Sequence, residues 1–295
     1  MVMRIATWNV NSLKARLERV ISWLGRAEPD VLLMQETKLA DSDAPTEVFR
    51  EAGYALAHHG EGRWNGVAIA SRCGINDVVT NFGEPLRAAK TSDVGDDEPL
   101  AEARMISAEC GGVRVVCVYA PNGRVVGSSF YEVKLAWFDR LARWLDETVD
   151  ANRPAVLGGD FNVAPEDIDV WDARACHGGT YVSEREREAF ARLCRGGLAD
   201  AYRLRHSEPG RYTWWDYRAG NFHKNFGMRI DHLLVTAALK PRIVWAEIDR
   251  EARKGKPIPS DHAPLVIDID EPGCPFDAGW AAADERIAGR RGRLG

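Results

Sequence analysis

Apolar runs recur along the chain, and several of them stop on a polar residue that water would ordinarily keep. Ile5-Ala6-Thr7-Trp8 leads to Asn9, the run at 31–35 leads to Glu36, and Ala155-Val156-Leu157-Gly158-Gly159 leads to Asp160-Phe161-Asn162. Two more runs start on such residues. Asp231 opens His232-Leu233-Leu234-Val235, and Asp261-His262 precedes Ala263-Pro264-Leu265-Val266-Ile267. Each run reads as a buried strand. One acid at a strand end is ordinary, but four acids, two amides and a histidine so placed point to one polar cluster on a rigid sheet edge. Buried charge is costly unless paired or metal-bound, so the cluster is expected to hold a cation and do chemistry.

Between the runs, the spacing predicts helices. Ser12 is a candidate N-cap, and Leu13, Leu17, Val20, Ile21 and Leu24 follow at helical spacing, with Gly25 and Pro29 bracketing the end. A second helix over 130–148 carries a broad apolar face of Val133, Leu135, Trp137, Phe138, Leu141, Trp144 and Leu145, and Pro154 stops it before the strand at 155–159. The strand–helix–strand layout thus occurs twice, once before Glu36 and once before Asp160. Such units put two strands in one sheet with functional residues at the connecting ends. The runs at 66–71 and 113–119 suit central strands, and strands at 230–235 and 265–269 close the pattern. Ser183 with Glu186 forms a capping-box signature for a helix to Cys194, ended by Gly196-Gly197. The polar stretch 84–102 reads as a surface excursion, and the aromatic and charged stretch 212–227 as a long functional loop. After Asp270 the pattern fades into a tail or loose helix. No linker or shift in composition divides the chain, so a single domain over 1–270 with a C-terminal extension over 271–295 is expected.

Composition sharpens this picture in a few places. With 295 residues, 45% of them hydrophobic, a sizeable core is available. No apolar run is long enough to span a bilayer, and the N-terminus enters a strand pattern without a signal-peptide layout. The six cysteines show no paired zinc or redox spacing, which fits reduced thiols in a cytoplasmic protein. A net charge of −5 argues against bulk nucleic-acid affinity but leaves room for a local basic surface.

The candidate chemistry follows from residue types. Glu36 at a strand end is a good ligand for a hard cation such as magnesium, although alone it could simply start a solvated loop. Asp160 beside Asn162 suits activation of a water and binding of an anionic oxygen. The plainer reading there is an Asx-turn closing the strand. Asp231 and His262 make a natural pair, in which the carboxylate orients the ring and stabilises its cation. Ser260 can cap the turn that holds His262. His58, His59, His177, His206 and His223 lack such company and read as surface or loop residues. No Gly-x-Ser-x-Gly elbow supports a serine hydrolase, and the acid-and-amide set does not suit zinc. Arg250, Arg253, Lys254 and Lys256 run into the Ser260-Asp261-His262 segment, and Arg218, Lys224 and Arg229 flank Asp231. With Trp214, Trp215, Tyr217, Phe222 and Phe226 among them, these cations suit a phosphodiester backbone and an unstacked nucleotide. A solvated charge run with aromatic core filler is the alternative.

Taken together, the motifs resemble the exonuclease III family of abasic-site endonucleases. They are Thr7-Trp8-Asn9-Val10-Asn11, Gln35-Glu36-Thr37-Lys38, Gly66-Val67-Ala68, Tyr119-Ala120-Pro121-Asn122-Gly123, Gly159-Asp160-Phe161-Asn162, Trp214-Trp215-Asp216-Tyr217, Arg229-Ile230-Asp231 and Ser260-Asp261-His262-Ala263-Pro264. Their order and approximate spacing match from about residue 3 to 269. The resemblance implies an α/β four-layer sandwich, two packed mixed β-sheets flanked by helices. It also implies a phosphodiesterase dependent on magnesium or manganese that acts on duplex DNA with abasic sites or 3′ ends, as a monomer. Exonuclease action 3′→5′, incision 5′ to abasic sites and 3′-end cleaning would each leave a 3′-hydroxyl.

Carried over residue by residue, Glu36 looks like the main metal ligand, with Asn11 and Asp261 nearby. Asn9 and Asn162 look like phosphate and transition-state contacts, Asp160 like the residue that activates water, and Tyr119 like a neighbour of the scissile phosphate. Asp231 would orient His262, and Asn122 would contact a neighbouring phosphate. Trp214, Met228 and Ile230 fall where the family shapes a pocket for a base-less sugar, Arg229 lies beside it, and Arg124 falls near a DNA-probing loop. Asn11 departs from relatives that carry an acid there, which leaves metal affinity resting on Glu36. The rival readings are a phosphoesterase of the same fold acting on an inositol phosphate or phospholipid, and an inactive DNA-binding module. The loop 214–217 and the Arg229-Ile230-Asp231 run argue against the first, and the competent residue at every catalytic position argues against the second.

Overall fold

A computed structural model describes residues 2–83 and 102–285. The excursion expected at 84–102 therefore lies almost entirely outside the described residues. The strands are β1 (Met3–Asn9), β2 (Val31–Gln35), β3 (Ala55–His59), β4 (Val67–Ser71), β5 (Asn76–Thr80), β6 (Met105–Cys110), β7 (Val113–Tyr119), β8 (Ala155–Asp160), β9 (Leu198–Asp200), β10 (Asp231–Thr236), β11 (Ile243–Ile248) and β12 (Leu265–Ile269). The helices used below are α1 (Leu13–Ala27), α2 (Thr46–Glu51), α3 (Ser129–Thr148), α4 (Ala173–Cys176) and α5 (Glu184–Arg195). The strands form two six-stranded sheets, ordered β11-β12-β1-β2-β4-β3 and β5-β6-β7-β8-β10-β9.

Each sheet has one parallel pair at its centre, β1 with β2 and β7 with β8, and each pair is joined by a long helix. These are the two strand–helix–strand units expected from the sequence. Period-two alternation divides every central strand between two cores. Ile5, Leu33, Val115, Val156, Leu233 and Leu265 point between the sheets and form one buried cluster. Ala6, Trp8, Leu32 and Met34 point outward and are covered by Val20, Trp23 and Leu24 of α1. Leu157 and Leu234 point outward from the second sheet and are covered by Trp137, Phe138 and Leu141 of α3 and Phe190 of α5. The result is the helix–sheet–sheet–helix sandwich.

Local chemistry explains most boundaries. The Ser12 hydroxyl accepts from Ala15 N at 3.4 Å and caps α1, which runs through Gly25 to Ala27 and closes on Glu28 in the left-handed conformation. Its end thus falls between Gly25 and Pro29, as expected. The Ser183–Glu186 capping box opens α5 as expected. Gly158 and Gly159 lie inside β8. A Cβ on Gly158 would come within 2.5 Å of Leu233 and 2.7 Å of Leu33, so this glycine lets the sheets approach closely.

The segment after Asp270 is also not loose where it is described. Trp280 is buried in the inter-sheet cluster and its indole donates to Ile248 O at 2.6 Å. Phe276 packs edge-on against Trp245, and Arg211 pairs with Asp284 at 2.8 Å. Among the described residues, no helix is long and apolar enough to cross a membrane.

Candidate active site

The inward register of the central strands turns polar at one end of the sandwich. Met3 and Ile5 of β1 are succeeded on the same face by Thr7 and Asn9, and Val31 and Leu33 of β2 by Gln35. On the other sheet, Val115 and Cys117 of β7 are succeeded by Tyr119, Val156 of β8 by Asp160, and Leu233 of β10 is preceded by Asp231. Cross-strand register sets Tyr119 and Asp231 on either side of Asp160. A polar layer lies just below, where Gln35 Nε2 donates to Thr7 Oγ1 at 3.0 Å and to Cys117 Sγ at 3.2 Å. The rim of the inter-sheet core is therefore the site, and the strand-end residues meet because both sheets end there.

Asn9 binds the two sheets together. Its amide nitrogen donates to Glu36 Oε1 at 2.7 Å and to Asp160 Oδ2 at 2.9 Å. The Asp160 Oδ1 atom accepts from Asn162 N at 2.9 Å, and Asn162 sits at φ 51°. An Asx-turn does close β8, so the plainer reading of this motif is correct and coexists with the cluster. The Asn162 side chain donates to Ala120 O at 3.0 Å. Glu36 also leaves its strand at positive φ, 52°, and the Lys38 ammonium lies 2.9 Å from its Oε2.

His262 faces Asp160 across 3.8 Å through Nε2, while its Nδ1 lies 2.8 Å from Asp231 Oδ2. With the buried Asp231 carboxylate accepting, Nδ1 carries the hydrogen and Nε2 is directed at the cluster. Ser260 caps the turn as expected, accepting from His262 N at 3.2 Å and donating to Asn9 O at 2.7 Å.

Burial and crowding of like charges set the protonation of this cluster. Burial, then the nearby Asp231 charge, pushes the Asp160 carboxyl up to about 7. Burial alone would lower the His262 imidazole, but the charges of Asp231 and Asp160 override it and raise it to about 10. The Tyr119 phenol is held well above its ordinary value by burial and by the Glu36 charge. Burial raises the Asp261 carboxyl, yet the charge of His262 and bonds from Asn11 and Trp214 hold it below the usual range.

One group of acids and histidine among the described residues can hold a metal ion. Glu36, Asp160 and His262 each offer one ligand atom, and these atoms lie within 4.8 Å of one another. This differs from the expected set of Glu36, Asn11 and Asp261. The Asn11 amide is engaged on both sides, donating to Asp261 Oδ1 at 2.8 Å and accepting from Lys38 at 2.7 Å. The other Asp261 oxygen accepts from the Trp214 indole at 3.1 Å. Asn11 and Asp261 thus brace the rim beside the donor group.

Several residues expected to contact substrate can be located on the fold. Asn122 is exposed in the loop after β7, and Arg124 is exposed with its guanidinium 3.5 Å above the Phe130 ring. Trp214 and Met228 are half-buried over Ile230, which is fully buried with Ala164, Val170 and Val182.

The basic residues are largely a correction. Arg229 is 1% exposed, clamped between Asp169 at 2.7 Å and Asp200 at 2.6 Å, so it faces the scaffold and not a substrate. Arg250 and Arg253 are buried as well. Arg250 lies 3.9 Å over the Phe222 ring, and Arg253 donates to Ser260 O and Trp215 O, which pins the His262 turn to the aromatic loop. Lys254 pairs with Glu251, and Lys256 is exposed over a groove lined by Glu18, Arg19 and Trp23 of α1. Trp215 and Phe222 are the core filler that the alternative reading anticipated.

Sequence reasoning missed other residues. His58 belongs to β3 and is no surface residue. It bridges Thr37 Oγ1 at 2.8 Å and Asp41 at 2.7 Å behind the Glu36 turn. Tyr181 lies between Asn122, whose amide donates to its hydroxyl at 2.5 Å, and the edge of Trp214. Nothing in the pattern around Tyr181 signals this. The buried Lys134 and Glu186 stand just behind Asn162.

A family model described as "Endonuclease/Exonuclease/phosphatase family" matches residues 6–262. The chain belongs to that family. It is 32% identical to an exodeoxyribonuclease of Bacillus subtilis strain 168, over 91% of this chain and the whole of that one. Among solved structures, an AP endonuclease from Archaeoglobus fulgidus superposes with a TM-score of 0.83 at 38% identity, covering 91% of this chain and all of that one. The 3′ phosphatase NExo from Neisseria, bound to a product DNA hairpin, gives 0.82 at 36% identity with the same coverage. The chain is a hydrolase of the exodeoxyribonuclease III and AP endonuclease type.

Proposed function

We propose that the chain is a divalent-metal-dependent DNA repair nuclease. Its substrates are duplexes with abasic sites or 3′ ends, and it hydrolyses phosphodiesters to leave a 3′-hydroxyl. The observation that carries this reading is the convergence of Glu36, Asp160 and His262 within 4.8 Å at the rim, with Asp231 2.8 Å behind the histidine. The names of the relatives, an exodeoxyribonuclease, an AP endonuclease and a 3′ phosphatase, support DNA as the substrate.

The donor set fits a hard cation. Two carboxylates, one imidazole and no thiolate suit magnesium or manganese better than a soft metal. Glu36 would hold it, with a carboxylate oxygen of Asp160 in reach, whereas the cationic His262 has no lone pair to offer and is left to the phosphate. When bound, such an ion would polarise the phosphoryl oxygen and offset charge that builds on it.

The protein groups divide the remaining work. Asp160, raised to about 7, exchanges its proton near neutral pH and is the base that takes a proton from the attacking water. His262, raised to about 10, stays cationic and donates toward a phosphoryl oxygen. Asp231 holds its ring in that orientation. The second N–H of the Asn162 amide and the protonated Tyr119 phenol add donors around the phosphate, while the Asn9 amide ties Glu36 to Asp160. As the P–O3′ bond breaks, the departing oxygen takes a proton and becomes the 3′-hydroxyl. Asn122 and Arg124 lie where a flanking phosphate would pass, and Trp214, Met228 and Ile230 where a base-less sugar would sit. Lys254 and Lys256 remain as peripheral contacts to the DNA backbone.

The test offers the purified protein an abasic duplex, a recessed 3′ end and a 3′-phosphorylated nick, with magnesium or with chelator. Metal-dependent cleavage that Asp160→Asn abolishes is expected. Failure to cleave any of the three would refute the reading, and hydrolysis of an inositol phosphate or phospholipid instead would move the chain to another branch of the family.

A further inference from the structure

One fully buried ammonium lies behind the site and takes no part in the reaction described above. Lys134 on α3 has no solvent exposure, and its three N–H groups have three acceptors. They are Asn162 O at 2.7 Å, a Glu186 carboxylate oxygen at 2.5 Å and Asn122 O at 3.4 Å. Burying such a pair carries a large desolvation cost, and a packed apolar pair would serve stability as well or better. The pair sits where the backbone carbonyls of Asn122 and Asn162 both come within reach of the Lys134 side chain.

The contacts close into a ring. Glu186 accepts from Tyr181 N at 3.1 Å, and the Tyr181 hydroxyl accepts from the Asn122 amide at 2.5 Å. Asn122 then returns to Lys134 through its carbonyl. Two local features make room for it. Asn162 turns at φ 51°, and a Cβ on Gly123, itself at φ 80°, would come within 2.9 Å of the Lys134 stem. An apolar side chain at 134 could fill the space but could not hold both carbonyls.

We propose that Lys134 is a positioning residue of the nuclease site: with Glu186 and Tyr181 it fixes Asn162 and Asn122 relative to each other, so that both amides meet one DNA backbone. This rests on the nuclease reading given above. Lys134 does not touch substrate. It acts on turnover through Asn162 and on binding through Asn122.

The experiment is a double-mutant cycle on whichever of the three DNA substrates the parent protein cleaves best. The neutral pair Lys134→Met with Glu186→Gln avoids leaving one buried charge alone, and a thermal melt checks that it is folded. In the parent background the pair should lower kcat by about tenfold or more, and in an Asn162→Ala background by less than about twofold. Tyr181→Phe leaves the buried charges in place, and should raise KM several-fold with kcat little changed. A folded Lys134→Met/Glu186→Gln protein with parental kcat would overturn the proposal, as would losses that simply multiply with Asn162→Ala, which mark a general structural role. If the pair does not fold, the Tyr181→Phe result decides: unchanged KM overturns the ring. A parent protein that cleaves no DNA refutes the function itself, an outcome separate from any of these.

Discussion

Arg229→Met separates a structural cation from a substrate-binding one. Its guanidinium holds Asp169 at 2.7 Å and Asp200 at 2.6 Å, and lies 2.9 Å from His232, with 1% of its surface exposed. Methionine keeps the volume and removes the charge. Asp169 keeps Arg203 and the backbone N–H of Glu166, whereas Asp200 loses its arginine and keeps the backbone N–H groups of Tyr202 and Arg203 and His232 at 3.6 Å, so Asp200 is the carboxylate left without its cation. Removing one partner of a buried ion pair costs about 3–5 kcal/mol. For 295 residues the unfolding entropy is about 0.6 kcal/mol/K, so the melting midpoint should fall by about 5–8 °C. The assay is a thermal melt, with KM and its salt dependence measured well below the midpoint. KM and the salt slope should stay parental, because the side chain does not reach solvent. Asp200→Asn added to Arg229→Met should recover part of the loss by removing the stranded charge. A midpoint within about 1 °C of the parent, together with a salt slope reduced by about one phosphate contact, would refute the scaffold role and restore the substrate-binding reading.

Asp231→Asn removes the charge that most raises the His262 imidazole. Loss of this charge-assisted bond, about 1.5–3 kcal/mol, should lower kcat roughly 10–100-fold and move the imidazole titration down, which NMR of the ring reads directly. An unmoved titration would remove Asp231 from its role. Because the folded Asp160 carboxyl is raised to about 7, the cation-free folded state retains a proton that the unfolded chain has already lost. This contribution should therefore lower stability as pH rises from the ordinary carboxylate range to about 7 and level off above. Magnesium favours the ionised form, so it should raise the melting midpoint more at pH 8 than at pH 5. The reverse order would contradict the assigned protonation. Trp280→Ala should cost about 3–5 kcal/mol by emptying its place in the inter-sheet cluster. A chain truncated after Asp270 that melts like the parent would show that the segment adds nothing.

The chain's own pattern determined its central architecture. Apolar runs mark β1, β2, β4, β7, β8, β10 and β12, all flanked by neighbours within their sheets. A strand buried on both faces leaves a continuous apolar signature, and the polar residue that ends it is conspicuous for the same reason. Asn9, Glu36, Asp160, Asp231 and His262 were legible in this way, as was the pairing of Asp231 with His262.

Tertiary structure decided the rest. The four edge strands β3, β5, β9 and β11 and the interior strand β6 are not marked: β5 and β9 are short or polar because an edge is half solvated, and the apolar residues of β3, β6 and β11 are interrupted or followed by His58, Ser107, Glu109 and Glu247. The cations were equally illegible. Whether an arginine meets DNA or a buried carboxylate depends on acceptors that arrive from far along the chain. Arg229 finds Asp169 sixty residues away and Lys134 finds Glu186 fifty-two away. Composition and spacing cannot reveal those encounters, since a long side chain carries the same charge whether it is solvated or enclosed. The sequence placed the reacting groups at the rim. Only the folding of both sheets onto one core determined which charges face the substrate and which hold the rim in place.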